Sequence, residues 1–269
     1  MDVFAHDWRA LLVERDGPTA VVRLNRPEKR NALSLELLGE LTLVARELKS
    51  QTNIHTVIVA GADEYFSAGA DLTDPERAEW ATMTLLERRQ RVLAGPDMCD
   101  AWEALEQITI CAFEGYSIGG AVALALACDF RIAGEGASLR LPEVALGINM
   151  SWHTLPRLVA LVGPARAKRF TIFCEALSAE DALAWGMIDE LTTKGGAFTL
   201  AQTWAAKLAK LPPVPVRMSK EAINRAALSG AQSAIFMDRD QYLVTTGAND
   251  FKEGVDAFLE KRDPEFRGD

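Results

Sequence analysis

The sequence is short of positive charge: 29 Lys plus Arg stand against 38 Asp plus Glu in 269 residues, a formal net charge of -9, and no dense basic run interrupts that balance. Nucleic acids are held largely by Lys and Arg that neutralise phosphates, so no nucleic-acid partner is expected. Histidine is scarce, with only His6, His55 and His153, and Cys99, Cys111, Cys128 and Cys174 stand apart with no CxxC pair. That leaves no metal-ligand cluster of recognisable spacing and no disulfide framework. The cysteines lie mostly in apolar surroundings and read as reduced core thiols of a cytoplasmic compartment. Long hydrophobic runs are absent: the most apolar stretch, Ala121 to Cys128, is far too short for a bilayer and Asp129 ends it. The first sixteen residues carry Asp2, Asp7, Arg9, Glu14, Arg15 and Asp16, so no targeting segment is expected. The phosphate-loop and dinucleotide glycine fingerprints are missing as well, and no separate cofactor is expected.

What remains is 49% hydrophobic and 25% charged, the texture of one ordinary soluble domain or one domain with an appendage. Short β-branched runs alternate with helical patterns through the first two-thirds. Ala20–Leu24, Ile54–Ala60, Ile108–Phe113 and Phe130–Ala133 read as strands. Between the first two, Leu35, Leu38, Leu41, Val44, Ala45 and Leu48 recur at three- and four-residue steps, a helical face that Ser34 is placed to cap. Ala121–Ala127 is an apolar helix. This βα order predicts an α/β core with ligands where strands hand over to helices. Beyond Glu190 the pattern turns helical, at Leu200–Leu211, Val216–Leu228, Ile235–Thr246 and Asn249–Arg262, with Pro212-Pro-Val-Pro as a rigid break. A helical subdomain is therefore expected from about residue 195. The charged stretch Asp71–Arg91 has a weak apolar face and reads as a solvated, mobile helix and loop rather than a lid.

Two glycine corners end apolar runs: Phe66-Ser-Ala-Gly-Ala-Asp-Leu and Gly115-Tyr-Ser-Ile-Gly-Gly-Ala. Glycine lets the backbone turn sharply and approach a ligand closely. If the second corner opens the Ala121 helix, its N–H groups form a positive helix end suited to an oxygen gaining negative charge. Singly, each corner also reads as a plain turn. A third piece, Leu141-Pro-Glu-Val-Ala-Leu-Gly, sets Glu143 beside apolar residues, where the ionised carboxylate is disfavoured and the group becomes a usable acid or base; an exposed turn glutamate is the plainer reading.

These segments, together with Leu24-Asn-Arg-Pro-Glu-Lys-Arg-Asn-Ala-Leu, Ala127-Cys-Asp129 and Ala257-Phe-Leu-Glu-Lys-Arg, closely resemble the crotonase superfamily, the enoyl-CoA hydratase/isomerase family, in order and spacing over almost the whole chain. The resemblance implies a ββα spiral core over residues 1–194 with an acyl-CoA site. It also implies a helical trimerisation subdomain over residues 195–269, in a homotrimer or a hexamer built as a dimer of trimers. Coenzyme A then enters as part of the substrate. The family's oxyanion hole falls on the backbone N–H groups of Ala70 and Gly120, and its acid/base on Glu143. The strip that carries the nucleotide and pantetheine falls on Lys29, Arg30, Ala32 and Ala68, with Lys29 and Arg30 either meeting phosphates or merely solvated. Asp71, next to the hole, stands with the substrate-binding candidates and is expected to fix the loop by accepting backbone hydrogen bonds. Phe258 and Lys261 match positions that can reach CoA from a neighbouring subunit.

The chain departs from the family's hydratases at a telling place. Where they carry a first glutamate, this chain has Ala123, and in place of a glycine-rich stretch it has Asn149-Met-Ser-Trp-His-Thr154. Trp152 and His153 are expected to narrow or reshape the pocket, His153 either as a helper acid or as a lining residue. Tyr242 reads as a packing residue, although some relatives bring a tyrosine toward the acyl group. One carboxylate is enough for a 1,3-proton shift, so the resemblance implies a Δ3,Δ2-enoyl-CoA isomerase-like enzyme. A hydratase, including one for an unusual or aromatic acyl-CoA, and a non-catalytic acyl-CoA-binding protein remain the alternatives.

Overall fold

The computed structural model describes residues 2–75, 79–80 and 82–269. A hairpin of β1 (Leu11–Asp16) and β2 (Thr19–Leu24) turns at Gly17, and helix α1 (Leu35–Lys49) carries the chain to β3 (Thr56–Ala60). The Ser34 hydroxyl accepts from Leu37 N–H at 3.2 Å, the expected cap, and the predicted apolar face of α1 is the one that is buried. Helices α2 (Leu85–Arg91) and α3 (Ala94–Glu103) precede β4 (Ile108–Phe113), β5 (Tyr116–Ile118) and α4 (Gly120–Ala127). Then come β6 (Phe130–Gly134), β7 (Ser138–Arg140), a one-turn 3-10 helix at Val144–Leu146, and α5 (Thr154–Phe173), which is bent at Gly163. Strand β8 (Leu177–Ser178), α6 (Ala179–Trp185) and β9 (Glu190–Thr192) complete two sheets. One runs β1-β2-β3-β4-β6-β9, parallel apart from the first pair, and the other runs β5-β7-β8.

Every residue of β3 and β4 is buried, because both faces of the larger sheet are covered. Val57, Val59, Cys111 and Ala133 face the main core with α1, α3 and α4, while Ile58, Ile110, Ala112 and Ile132 face the other way. Against that second face lies α7 (Ala197–Leu208), whose Ala197, Ala201 and Ala205 recur every fourth residue and present a smooth stripe to the strands. The Glu114 carboxylate accepts the Ala197 N–H at 3.0 Å and fixes where that helix starts. The helical region placed from about residue 195 thus contributes its first helix to the core sheet.

The remaining helices correct the sequence reading in two places. Pro213 opens α8 (Pro213–Ala227) instead of breaking the chain, since proline's fixed φ and missing N–H suit a first helical turn. The helix expected at Ile235–Thr246 is α10 (Asp238–Thr246), which starts three residues later where the buried Asp238 bonds Ser151 at 2.5 Å, and a short helix that was not expected, α9 (Ala231–Ile235), precedes it. Helix α11 (Asn249–Glu260) follows and lies on the 3-10 turn beyond Glu143, with Gly254 against the backbone of Leu146. In the charged stretch expected to be a solvated helix and loop, α2 is a helix with exposed Leu85 and Leu86; residues 76–78 and 81 of that stretch lie outside the described residues. All four cysteines are free and buried, and no helix among the described residues is long and apolar enough to cross a membrane.

A buried ion pair ties α8 to the sheet. Lys220 Nζ lies 2.6 Å from Asp129 Oδ2 and donates to the Gln107 carbonyl, while the same carboxylate oxygen accepts Thr109 N–H and Oγ1–H. Truncating Asp129 leaves the buried ammonium without a counter-charge and the Thr109 N–H without its acceptor. Asp129→Ala is therefore expected to lower unfolding free energy by about 3–5 kcal/mol in urea titration, with Asp129→Ala/Lys220→Met recovering part of the loss.

Candidate active site

The two glycine corners meet. Asn31, itself at positive φ, donates through Nδ2 to the Phe66 carbonyl and accepts the Arg26 N–H, while Ser67 Oγ donates to the Asn31 carbonyl. Ala68 N–H reaches Arg30 O, and Leu33 exchanges bonds with Gly69 and Asp71. The first corner is thereby fastened to the loop before α1. Gly69 has φ +85, and a Cβ there would sit 2.6 Å from the Ile118 carbonyl oxygen, so only glycine lets the corners approach this closely. Gly119, at φ +54, then turns the chain into α4. Among the described residues, neither Ala70 N–H nor Gly120 N–H is given to an acceptor. For Gly120 this is the ordinary condition of a first helical turn, whose amides have no partner within the helix.

Both residues line one cavity of about 70 Å³ that also contains Glu143. The Glu143 carboxyl lies over Gly119, where a Cβ would stand 2.5 Å from Oε1, and its Oε2 is enclosed without a hydrogen-bond partner. Burial lifts its pKa from 4.5 to about 7, outweighing the hydrogen bond from its own backbone N–H. Among the described residues it is the one carboxylate lining the cavity; Leu35, Leu38, Val92, Ile148 and Met150 supply apolar wall. Ala123, one turn beyond Gly120, is fully buried.

Trp152 closes one side. A Cβ added at Gly95 or at Gly120 would overlap its indole, which therefore fills a slot between α3 and the start of α4. Trp152 and His153 both hold positive φ, +62 and +54, a costly pair of conformations for side-chain-bearing residues. Their carbonyls accept from Arg157 Nη1 at 3.2 and 3.1 Å, and Arg157 is anchored by Asp100 at 2.8 Å and Glu103 at 2.6 Å. From the other side Asp238 bonds the Ser151 hydroxyl and the N–H groups of Trp152 and His153.

The structure brings together Ala70, Gly120, Glu143 and Trp152 from the sequence candidates. It turns His153 away: Nδ1 lies 3.0 Å from Asp100 in a separate cleft, because the second positive φ points the imidazole to the opposite side of the turn. Asp71 does not line the cavity either. It is buried, pairs with Arg26 at 3.1 Å and accepts the N–H and Oγ1–H of Thr73, bonds that hold its carboxyl below the usual range. Lys29 and Arg30 are exposed, with Lys29 Nζ 3.3 Å from Thr73, while Ala32 is buried and Ala68 half-buried on the edge of the first corner. Phe258 and Lys261 are exposed at the end of α11, away from the cavity lining. Tyr242, read as packing, lines the cavity, as do Trp80 and Arg91, which the sequence reading passed over. Their signal was a lone tryptophan and a lone tyrosine in otherwise polar segments.

A largely parallel sheet whose second glycine corner opens a buried helix, with a helical C-terminal region, is the fold that the solved structures of crotonase-type enzymes share. The profile of the enoyl-CoA hydratase/isomerase family matches residues 14–269. The chain is 32% identical to a short-chain-enoyl-CoA hydratase of Clostridium acetobutylicum, covering 94% of this chain and 95% of that one. It is 30% identical to a 2,3-dehydroadipyl-CoA hydratase of Escherichia coli, covering 96% and 98%. A crystal structure of an enoyl-CoA hydratase from Mycobacterium avium subsp. paratuberculosis superposes with a TM-score of 0.86 at 26% identity, over 97% of this chain and 100% of that one. The chain belongs to the enoyl-CoA hydratase/isomerase family.

The raised pKa of Glu143 has a consequence for stability. Between 4.5 and about 7 the folded state holds a proton that the unfolded state releases, so this group's contribution is fully present below 4.5 and is lost as pH rises through 7. Glu143→Gln removes the effect. In urea titrations the variant is expected to gain on the parent between pH 4.5 and pH 8 by on the order of 3 kcal/mol; an unchanged difference would place the carboxylate in contact with water.

Proposed function

We propose that the chain moves a proton between the α- and γ-carbons of a 3-enoyl-CoA thioester, a Δ3,Δ2-enoyl-CoA isomerase-like reaction with Glu143 as the acid and base. The observation that carries this reading is that, among the described residues, Glu143 is the one carboxylate lining a cavity that Ala70 and Gly120 also line, and neither of their backbone N–H groups is given to an acceptor. The thioester oxygen accepts from Ala70 and Gly120. Ionised Glu143 takes the α-proton; the C–H electron pair moves into the thioester, the 3,4 double bond joins the conjugation, and the negative charge rests on the oxygen between the two donors. Each such donor is worth about 2.7–4 kcal/mol in the transition state. Protonated Glu143 then returns the proton at the γ-carbon, leaving the 2-enoyl product and the carboxylate as it began. A group with a pKa of about 7 is divided between both forms at neutrality, which suits one residue doing both transfers.

The body of CoA is assigned to the strip along Lys29, Arg30, Ala32 and Ala68, whose exposed cations suit its phosphates. Phe258 and Lys261 are assigned to CoA contacts across a subunit boundary in a homotrimer or hexamer. Exposed Met218 and Ile223 on α8, Val244 on α10 and Phe236 between α9 and α10 offer apolar surface for that assembly. Hydration is the second reading, favoured by the relatives that bear hydratase names. It asks Glu143 alone to hold water and deliver a proton, with Ala123 where a second carboxylate stands in the family's hydratases.

The test is mass spectrometry of products from 3-hexenoyl-CoA and crotonyl-CoA in deuterated water. The expected outcome is conversion of the first to its 2-enoyl isomer without water addition, with kcat in Glu143→Gln reduced roughly 10²–10⁴-fold. The rate is expected to rise with pH to a plateau above about 7, as Glu143 ionises. Efficient hydration of crotonyl-CoA would replace isomerisation with the second reading. Saturable binding of both thioesters with no α-carbon deuteration would identify a binding protein.

A further inference from the structure

The reacting cavity is small, about 70 Å³, and Trp152 seals it where the indole lies against Gly120. Trp80 and Tyr242, two of its lining residues, also line a second cavity of about 460 Å³. That volume falls within the ~300–1,000 Å³ of ordinary small-molecule sites. The larger cavity is framed by Leu85 of α2, Leu243 of α10, and Phe251 and Val255 of α11. Leu85 is 64% exposed, an apolar side chain left uncovered beside the reacting site. The frame is held in place: Arg89 Nε and Nη2 bond both carboxylate oxygens of Asp240, at 2.6 and 2.8 Å, and fasten α2 to α10. The charges at its rim are Arg88, Lys252 and Asp256, and the Arg88 Nε–H is given to the Met83 carbonyl.

We infer that the substrate's acyl group is longer than crotonyl and apolar to its end, and that its tail passes Trp80 and Tyr242 into the cavity between α2, α10 and α11. Trp152 is the specificity-determining wall that turns it there. The inference rests on the proposed acyl-CoA reaction and adds the class of acyl group. The reacting cavity leaves little room beyond the carbons around the thioester, and the indole bars growth past Gly120. The second cavity adjoins through shared residues and offers mostly hydrocarbon. Covering Leu85, Leu243, Phe251 and Val255 with a methylene chain removes apolar surface from water on both partners, which favours each added carbon until the cavity is filled.

The experiment measures kcat/KM for crotonyl-, 3-hexenoyl-, 3-decenoyl- and 2,3-dehydroadipyl-CoA, following any product by mass spectrometry. It compares the parent with Val255→Trp, which fills the second cavity, and Leu85→Asp, which charges its exposed edge. The parent is expected to favour 3-decenoyl- over 3-hexenoyl-CoA by roughly tenfold or more, and each variant to cut that ratio by a similar factor. Thermal melts and sedimentation confirm fold and assembly, and because Leu85 is exposed, its variant carries the test if Val255→Trp does not fold. Equal ratios in parent and variants, or a preference for the dicarboxylate thioester, would overturn the inference while leaving the reaction in place. A changed sedimentation coefficient with an unchanged ratio would overturn it too, assigning the cavity to a subunit contact. If no thioester is converted, the reaction itself fails and the inference falls with it.

Discussion

The contact between the Gly69 corner and the Ile118 carbonyl is the constraint on which the site depends. It is possible only without a side chain at position 69, and it brings Ala70 and Gly120 to one cavity although they come from segments far apart in the chain. Both corners are rigid for reasons visible in their hydrogen bonds. Asn31 and Ser67 tie the first to the loop before α1, and β4 and β5 carry the second out of the sheet into a helix whose eight residues are all buried. In the proposed reaction, donors set in this way need no reorganisation when charge develops in front of them.

Around that pair, polar groups are disposed unequally. Asp71, Asp100, Asp129 and Asp238 all have partners, and each of them fixes a loop or helix. Glu143 differs: Oε2 is enclosed with nothing to accept from, and its pKa rises to about 7. A buried acceptor without a donor costs stability, and among the described residues this one shares its cavity with Ala70 and Gly120, whose N–H groups are not given to an acceptor. Arg157 and Asp238 serve the same site at one remove. By gripping the carbonyls and amides of Trp152 and His153, they hold two strained residues in the turn that sets the indole against Gly120.

Much of the fold was legible locally. The apolar stripe of α1, its Ser34 cap and the all-buried strands β3 and β4 follow from periodicity and β-branched runs. The same reasoning left α5 unassigned, because a helix bent at Gly163 and carrying a proline scatters its apolar positions. It also treated Pro212-Pro-Val-Pro as an interruption, although proline within a first turn begins a helix as readily as proline within an interior ends one. The family resemblance lay in motifs that are local by nature: glycine corners and a proline-glutamate turn have to be written in consecutive residues, since each acts through its own backbone.

The sequence by itself determined strands β2, β3, β4 and β6 and the glycines able to turn the chain, because dihedral freedom and hydrophobic period are properties of neighbouring residues. Only the tertiary structure decided which side chains face the cavity. Trp152 and His153 are adjacent, yet one lines the site and the other meets Asp100 in another cleft, since two successive positive φ angles send them to opposite sides. Asp71 stands next to Ala70 and is drawn away by Arg26. Tyr242, remote in sequence, is brought to the wall by the packing of α10 against α2 and the Arg89–Asp240 pair. Such directions depend on contacts between distant segments, and no local pattern of residues encodes them.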